Sequence, residues 1–231
     1  MSGAYAEQAL CNENQVYHLP ANISYKQGAG IYVPYKTAYY SLFHLGKAQL
    51  SDTILIHGAS GTVGTAALQF ARKAGLTAIG TAGNQQGLEA IKKYGASFAL
   101  NHRETGYLKQ VEEITQSHGV DVVLEMAAHA NLNKDLQIAA KGGRIIVVGS
   151  HGNEASVDPT LIIGQGITMA GVNLFAVSPR LNETIHRAIV TGLEEGYLQP
   201  RSSDEFPLKD VVKVHELIAS GQNVNRISLI P

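Results

Sequence analysis

The sequence predicts an α/β protein built on a doubly wound parallel sheet. Three observations carry that expectation. Short apolar runs without polar alternation recur between residues 53 and 149, as strands covered on both faces require. Each run is followed by a longer stretch at helical spacing, the order of right-handed βαβ units. The first run leads directly into a turn of small residues, His57-Gly58-Ala59-Ser60-Gly61-Thr62-Val63-Gly64.

Taken in order, residues 53–57 read as a buried strand and 65–74 as the helix after the turn. Strand and helix then alternate at 77–81 and 86–94, at 97–100 and 107–117, and at 120–125 and 132–140. A fifth strand is expected at 144–148, a sixth at 167–174, and a long helix at 182–195. The two ends differ. Residues 1–30, with Pro20 and Gly28-Ala29-Gly30, read as strand and loop. The last stretch gives a helix at 208–219 and a short strand at 226–230. The expected organisation is therefore a central domain over residues 31–203, with 1–30 and 204–231 belonging to something the centre does not complete.

Composition sets bounds on function. With 231 residues, 45% hydrophobic and 16% charged, the chain can bury one large core or a core with a smaller attachment. A formal net charge of −1 supplies no global field to recruit nucleic acid or an anionic membrane. No apolar run is long enough for a helix to span a bilayer, and the N-terminus does not read as a signal peptide. Cys11 is the single cysteine, which excludes an internal disulfide and any multi-cysteine zinc site. A cytoplasmic protein is expected.

The turn carries the chemistry. Ala59-x-Gly61-x-x-Gly64 between a strand and a helix is the Rossmann dinucleotide fingerprint with alanine in its first small position. Gly61 lets the backbone approach a pyrophosphate, and Gly64 lets the helix pack closely on its strand. The helix start offers N–H groups and a positive dipole end to phosphate. A hydrolase nucleophile elbow at Ser60 would need glycine where Thr62 stands. An NAD site would end the second strand on an acid, yet Gly80-Thr81-Ala82-Gly83-Asn84-Gln85-Gln86 contains none. NADPH is the expected cofactor, with Asn84, Lys92, His102 and Arg103 as candidate partners of its 2′-phosphate.

These residues resemble the zeta-crystallin family, NADPH-dependent quinone oxidoreductases of the zinc-independent medium-chain dehydrogenase/reductase superfamily. The resemblance rests on Gly28-Ala29, Val33-Pro34-Tyr35-Lys36-Thr37-Ala38-Tyr39, the turn itself and Gly80-Thr81-Ala82-Gly83. It continues through Asn101-His102-Arg103-Glu104, Asn131-Leu132-Asn133-Lys134-Asp135 and residues 142–150. It implies that Ser60, Gly61, Thr62, Val63 and Gly64 wrap the pyrophosphate. It puts Gly83 and His102 on the adenosine side and brings Asn131 to the cofactor from the fourth crossover. Val148, Gly149, Ser150 and His151, with Val172, Asn173 and Leu174, would line the nicotinamide side. From the residues alone, His102 reads equally as a loop histidine and Asn131 as a cap of the helix at Leu132.

Two departures stand out. The family begins with a GroES-like catalytic domain, of which residues 1–30 and 204–231 would be remnants, and the chain is about a hundred residues short of a two-domain length. Apolar residues around 31–45 would then lack a partner. The family's Gly-Lys near the C-terminus is replaced by Asn225-Arg226; arginine retains the cation for cofactor contact. Zinc members of the superfamily place a cysteine near Val33, and no histidine spacing here suggests a metal site.

The expected function is therefore NADPH-dependent reduction of quinones or related conjugated carbonyls, with loss of activity through the missing domain as one variant. A non-catalytic NADPH-binding protein, structural or interacting in role, is the alternative. No triad or carboxylate pair suggests itself for acid–base work, so the catalytic residues stay unassigned; Tyr35 and Tyr39 are candidates for shaping the pocket. A homo-oligomer paired through the sixth strand is expected. RNA binding, attributed to the family, has little support in the near-neutral charge.

Overall fold

The computed structural model describes residues 5–150, 152, 154–201, 203–220 and 226–231. The chain divides into two compact units, one formed by Pro34–Ile189 and the other by the two chain ends. In the first thirty residues the expectation of strand and loop gives way to a 3-10 turn at Glu13–Gln15 and a short helix α1 (Tyr25–Gly28). The reason is a capping box. The Gln27 backbone N–H donates to Ser24 Oγ at 3.3 Å, and the Ser24 N–H donates to Gln27 Oε1 at 3.0 Å. Those reciprocal bonds satisfy N–H groups that a strand would have needed to pair elsewhere.

Helix α2 (Tyr32–Tyr39) follows and runs into a π-helical segment, Tyr40–Leu45. The expectation of an unpartnered apolar surface here is not met, because Tyr35, Ala38 and Leu42 are buried. Their three- and four-residue spacing gives one continuous helical stripe. Tyr35, Tyr39 and Phe43 all meet the ring of Phe70 edge-on, and the Gln69 side chain donates to Tyr35 Oη at 3.3 Å. Tyr35 and Tyr39 thus pack this helix against Phe70, Tyr35 buried and Tyr39 half-buried.

Pro34–Ile189 holds the six-stranded parallel sheet that the apolar runs predict. Its strands are β1 (Thr53–Ile56), β2 (Thr77–Ala82), β3 (Phe98–Asn101), β4 (Val120–Glu125), β5 (Ala139–Val147) and β6 (Thr168–Gly171). They lie in the order β3-β2-β1-β4-β5-β6. Helices α3 (Thr62–Lys73), α4 (Gln85–Lys93), α5 (Tyr107–Ile114), α6 (Ala128–Ile138) and α7 (Pro159–Gln165) make the crossovers. Order reverses between β1 and β4, where a crevice opens beyond the strand ends. Ile54, Leu55 and Ile56 of β1 and Val122, Val123 and Leu124 of β4 are fully buried, as the centre of a doubly covered sheet must be.

The sequence expectation started α3 three residues late and α6 four residues late. It also began β5 five residues late and missed α7, whose helix starts at Pro159 behind the Asp158 cap. Helix α8 (Pro179–Glu194) crosses the boundary between the units. In the unit of the chain ends, β7 (Ser203–Pro207) pairs in parallel with β8 (Arg226–Ile230), and α9 (Val211–Ala219) lies between them in sequence. Ser203 and Ser228 share a buried hydroxyl hydrogen bond of 2.8 Å across that pair.

The tightest point of the sheet unit is the start of α3. A methyl group on Gly64 would sit 2.5 Å from Ala59 Cα and 2.7 Å from its carbonyl carbon and oxygen. Backbone cannot yield as a flexible side chain can. Gly64→Ala is expected to destabilise the chain by about 1–3 kcal/mol, read as a lowered urea midpoint. An unchanged midpoint would show that the turn relaxes freely.

Candidate dinucleotide site

The turn after β1 is held from both sides. The His57 backbone N–H donates to the Leu124 carbonyl of β4 at 3.1 Å, and the Ala59 N–H to the Thr81 carbonyl of β2 at 2.9 Å. Gly58 adopts φ +55°, a left-handed conformation that favours glycine. Gly61 is different. It caps α3 with φ −73° and ψ 175°, which any residue adopts, and its nearest obstacle to a side chain is the Gly58 carbonyl at 3.3 Å. The dihedral does not call for glycine, whereas a side chain would press on that carbonyl; the bare backbone also leaves room for a ligand's approach. No side chain caps α3, and its first turn carries no acid, so the positive helix end faces outward beside exposed Gly61 and half-buried Ser60, Thr62 and Val63.

At the end of β2 the structure places an imidazole and a guanidinium where an NAD site has its acid. A side chain built on Gly83 would meet His102 Nε2 at 2.9 Å and Arg103 Nε at 3.0 Å. His102 is fixed by its backbone N–H, which donates to the Ala82 carbonyl at 3.1 Å. Burial, then the nearby His57 and Arg103, hold its imidazole below the ordinary histidine range. Asn84 caps α4 by accepting the Gly87 N–H at 2.8 Å, and Lys92 sits on that helix's exposed last turn.

Beneath the turn lies a polar cluster that sequence reading missed. His57, Glu125 and Asp135 are all buried, the two carboxyls completely. His57 Nε2 stands 2.8 Å from Asp135 Oδ1 and 3.5 Å from Glu125 Oε2. Glu125 Oε1 accepts the Ala127 backbone N–H and, at 3.5 Å, the Asn131 side-chain amide. One ligand atom from each of the three lies within 4.8 Å of the other two, and burial raises both carboxyls to about 7. Burial holds His57 below its ordinary value. The signal was a polar residue closing each of two otherwise apolar strand runs, with Asp135 beside Leu136 on the buried face of α6. A carboxylate pair is therefore present, against the sequence expectation, although it is sealed from solvent. These three are the one group of metal-ligating side chains drawn together among the described residues. Two ligands of a tetrahedral zinc stand about 3.3 Å apart, so the 2.8 Å His57–Asp135 separation is that of a hydrogen bond.

The remaining predicted residues fall into three places. Asn131 lies inside α6, whose N-cap is Ala127, so it is not the cap of a helix at Leu132. Val148 and Gly149 both donate backbone N–H groups to the Glu125 carbonyl, and Gly149 returns its carbonyl to Ala128 N–H at 2.9 Å. Half-buried Ser150 follows them, and His151 lies outside the described residues. Beyond β6, the Val172 N–H donates to the Val147 carbonyl, Asn173 caps a 3-10 turn, and the Leu174 carbonyl accepts the Lys36 ammonium at 3.3 Å. Lys36 is buried, which lowers its pKa, and sequence reading gave it no role. These segments, with the phosphate turn, share the carboxyl end of the sheet. Arg226 belongs to the unit of the chain ends, where it fills the space beside Gly30 and donates to the Lys26 carbonyl at 3.4 Å.

Comparison with known proteins agrees with this geometry. Residues 62–189 match the family model described as zinc-binding dehydrogenase. The human quinone oxidoreductase is 39% identical over 221 residues, covering 96% of this chain and 67% of its own. Among solved structures, the JamJ enoyl reductase superposes with a TM-score of 0.83 at 27% identity, over 95% of this chain and 66% of that one. The Escherichia coli quinone oxidoreductase complexed with NADPH has a TM-score of 0.83 at 24% identity, over 94% and 69%. The chain thus spans about two thirds of the length of these proteins. On the strength of its fold, its phosphate turn and these likenesses, the chain belongs to the quinone oxidoreductase family of medium-chain dehydrogenases/reductases.

Proposed function

We propose that this chain binds NADPH and serves the reduction of quinones or related conjugated carbonyls. The observation that carries the reading is the turn at residues 58–64, which presents the uncapped start of α3 beside the exposed backbone of Gly61. Ser60, Gly61, Thr62, Val63 and Gly64 hold the pyrophosphate against the start of α3. His102 and Arg103, gathered over Gly83, take the 2′-phosphate, and the absence of a carboxylate there removes repulsion. Val148, Gly149 and Ser150, with Val172, Asn173 and Leu174, line the nicotinamide side, and Asn131 approaches the cofactor from the fourth crossover. Bound NADPH supplies the hydride; the protein orients it and keeps water from the reacting face. A quinone or enone is the substrate class, supported by the names of the relatives.

The enzyme reading is tested by following NADPH oxidation with a simple quinone, beside direct titration of NADPH. Binding without turnover selects the alternative of a non-catalytic NADPH-binding protein. Arg103→Ala is expected to weaken NADPH about tenfold to a hundredfold and leave NADH unchanged, since a charge-assisted bond to phosphate is lost. Equal losses for both cofactors would refute the assignment of the 2′-phosphate.

Gly61→Val separates site from scaffold. Its Cβ needs the Gly58 carbonyl to give by a few tenths of an ångström, and its methyl groups fill the approach to the backbone. Loss of NADPH binding with an unchanged circular dichroism spectrum and at most a small drop in urea midpoint is the expected result. Normal binding by the folded variant would move the phosphate site elsewhere.

The chain is further proposed to form a dimer in which β6 pairs with its counterpart. Strand β6 ends the sheet, is uncharged and contains no proline. Met169 packs against the core, so the exposed Thr168 is the better place for a disrupting charge. Sedimentation should show a dimer that Thr168→Lys dissociates. A monomer in the unmodified chain defeats the pairing.

A further inference from the structure

The cluster of His57, Glu125 and Asp135 has no part in the reading above, yet it joins the two segments that flank the crevice. His57 opens the phosphate turn, Glu125 ends β4, and Asp135 lies on α6. Through Glu125 the cluster also holds the Ala127 N–H and the Asn131 amide, which start the fourth crossover. Other ionisable groups around it are Lys134 on α6, Tyr107 on α5, and His102 with Arg103 after β3. Lys134 and His102 both act electrostatically on His57 or Asp135, and the Tyr107 phenol is pushed up to about 12 by burial and by the two carboxyls.

Counting donors decides the state of the cluster. Asp135 Oδ1 is matched by His57, and Glu125 Oε1 by Ala127 and Asn131. Glu125 Oε2 and Asp135 Oδ2 are buried with no hydrogen-bond donor among the described residues. Two buried carboxylates with oxygens within 4.8 Å of each other are costly to keep both ionised away from water; one proton held between them removes the repulsion and offers a donor to an unmatched oxygen. We propose that this shared proton makes the cluster a positioning device, locking the phosphate turn to the β4–α6 crossover in the arrangement that accepts the dinucleotide. Loss of the proton sets two negative charges against each other across that joint and loosens it. His57, Glu125 and Asp135 are positioning residues: they act through the turn and the crossover, not on the cofactor. The inference rests on the dinucleotide reading, and its test distinguishes the two.

The sign follows from linkage. Both carboxyls are raised from ordinary values of 4.5 and 3.8 to about 7, so between those limits the folded chain holds more protons than the unfolded one. Their stabilisation is complete below the ordinary range and is lost as pH rises through about 7. His57, lowered on folding, has the opposite sign. Comparing Glu125→Gln with the unmodified chain isolates the carboxyl, because glutamine keeps the acceptor for Ala127 and permanently mimics the protonated form.

NADPH and NADH affinities are to be measured from pH 6 to 8.5 in both proteins, with thermal unfolding of each at the same pH values. NADH lacks the 2′-phosphate, which itself titrates near pH 6. For NADH, the unmodified chain should lose affinity above about pH 7 by up to tenfold per pH unit while Glu125→Gln stays flat; for NADPH the same difference adds to the phosphate's own titration. The variant should also melt progressively higher than the unmodified chain as pH rises. Parallel affinity curves in the two proteins would overturn the positioning role. A melting difference independent of pH would overturn the shared proton, and so would stoichiometric zinc retained by the unmodified chain. Should neither cofactor bind at any pH, the dinucleotide reading falls and the coupling with it, and the melting curves still report the proton. If Glu125→Gln does not fold, Asp135→Asn carries the same neutral group on the other side, with the same expected outcomes.

Discussion

The contact between Gly64 and the Ala59 backbone is the constraint on which the rest of the sheet unit depends. With no room for a methyl group between them, α3 begins immediately over the end of β1. That closeness keeps the N–H groups of the helix at the crevice mouth and leaves Gly61 at its rim. The turn itself is anchored to both neighbouring strands, by His57 to β4 and by Ala59 to β2. The place of the turn is therefore a property of three strands at once. Shifting any one of them would move the turn.

The fold was legible in the sequence because a doubly covered sheet leaves an unambiguous trace. Apolar runs such as Ile54-Leu55-Ile56 and Val122-Val123-Leu124 cannot be mistaken for half-exposed strands. Element ends were less legible. Helix α6 starts at Ala128 with no side-chain cap, and β5 continues back through Lys141-Gly142-Gly143, residues that read as a turn. The first thirty residues misled for a local reason, since the Ser24–Gln27 box outweighed the extended bias of proline and glycine.

The candidate site was legible where chemistry is written locally and not where it depends on distant residues meeting. Residues 58–64 are contiguous, and their glycines name their own roles. The gathering of His102 and Arg103 over Gly83 needed the register of β2 against β3, in which Ala82 lies opposite Asn101. His57, Glu125 and Asp135 are far apart along the chain, and each alone reads as an ordinary polar residue. Lys36 and Leu174 are likewise joined only by the fold. Sequence separation, not chemical subtlety, hid them.

The buried cluster also has an evolutionary consequence. Removing one member leaves the other two sealed from water without their partner, whereas exchanging all three for apolar side chains of similar volume removes the need for any partner. Each single step is then a descent in fitness toward an end point that is itself acceptable. Such a trio is trapped: it drifts as a block or stays. Positions 57, 125 and 135 should therefore vary together across relatives that keep this sheet, even where the residues around them turn over freely.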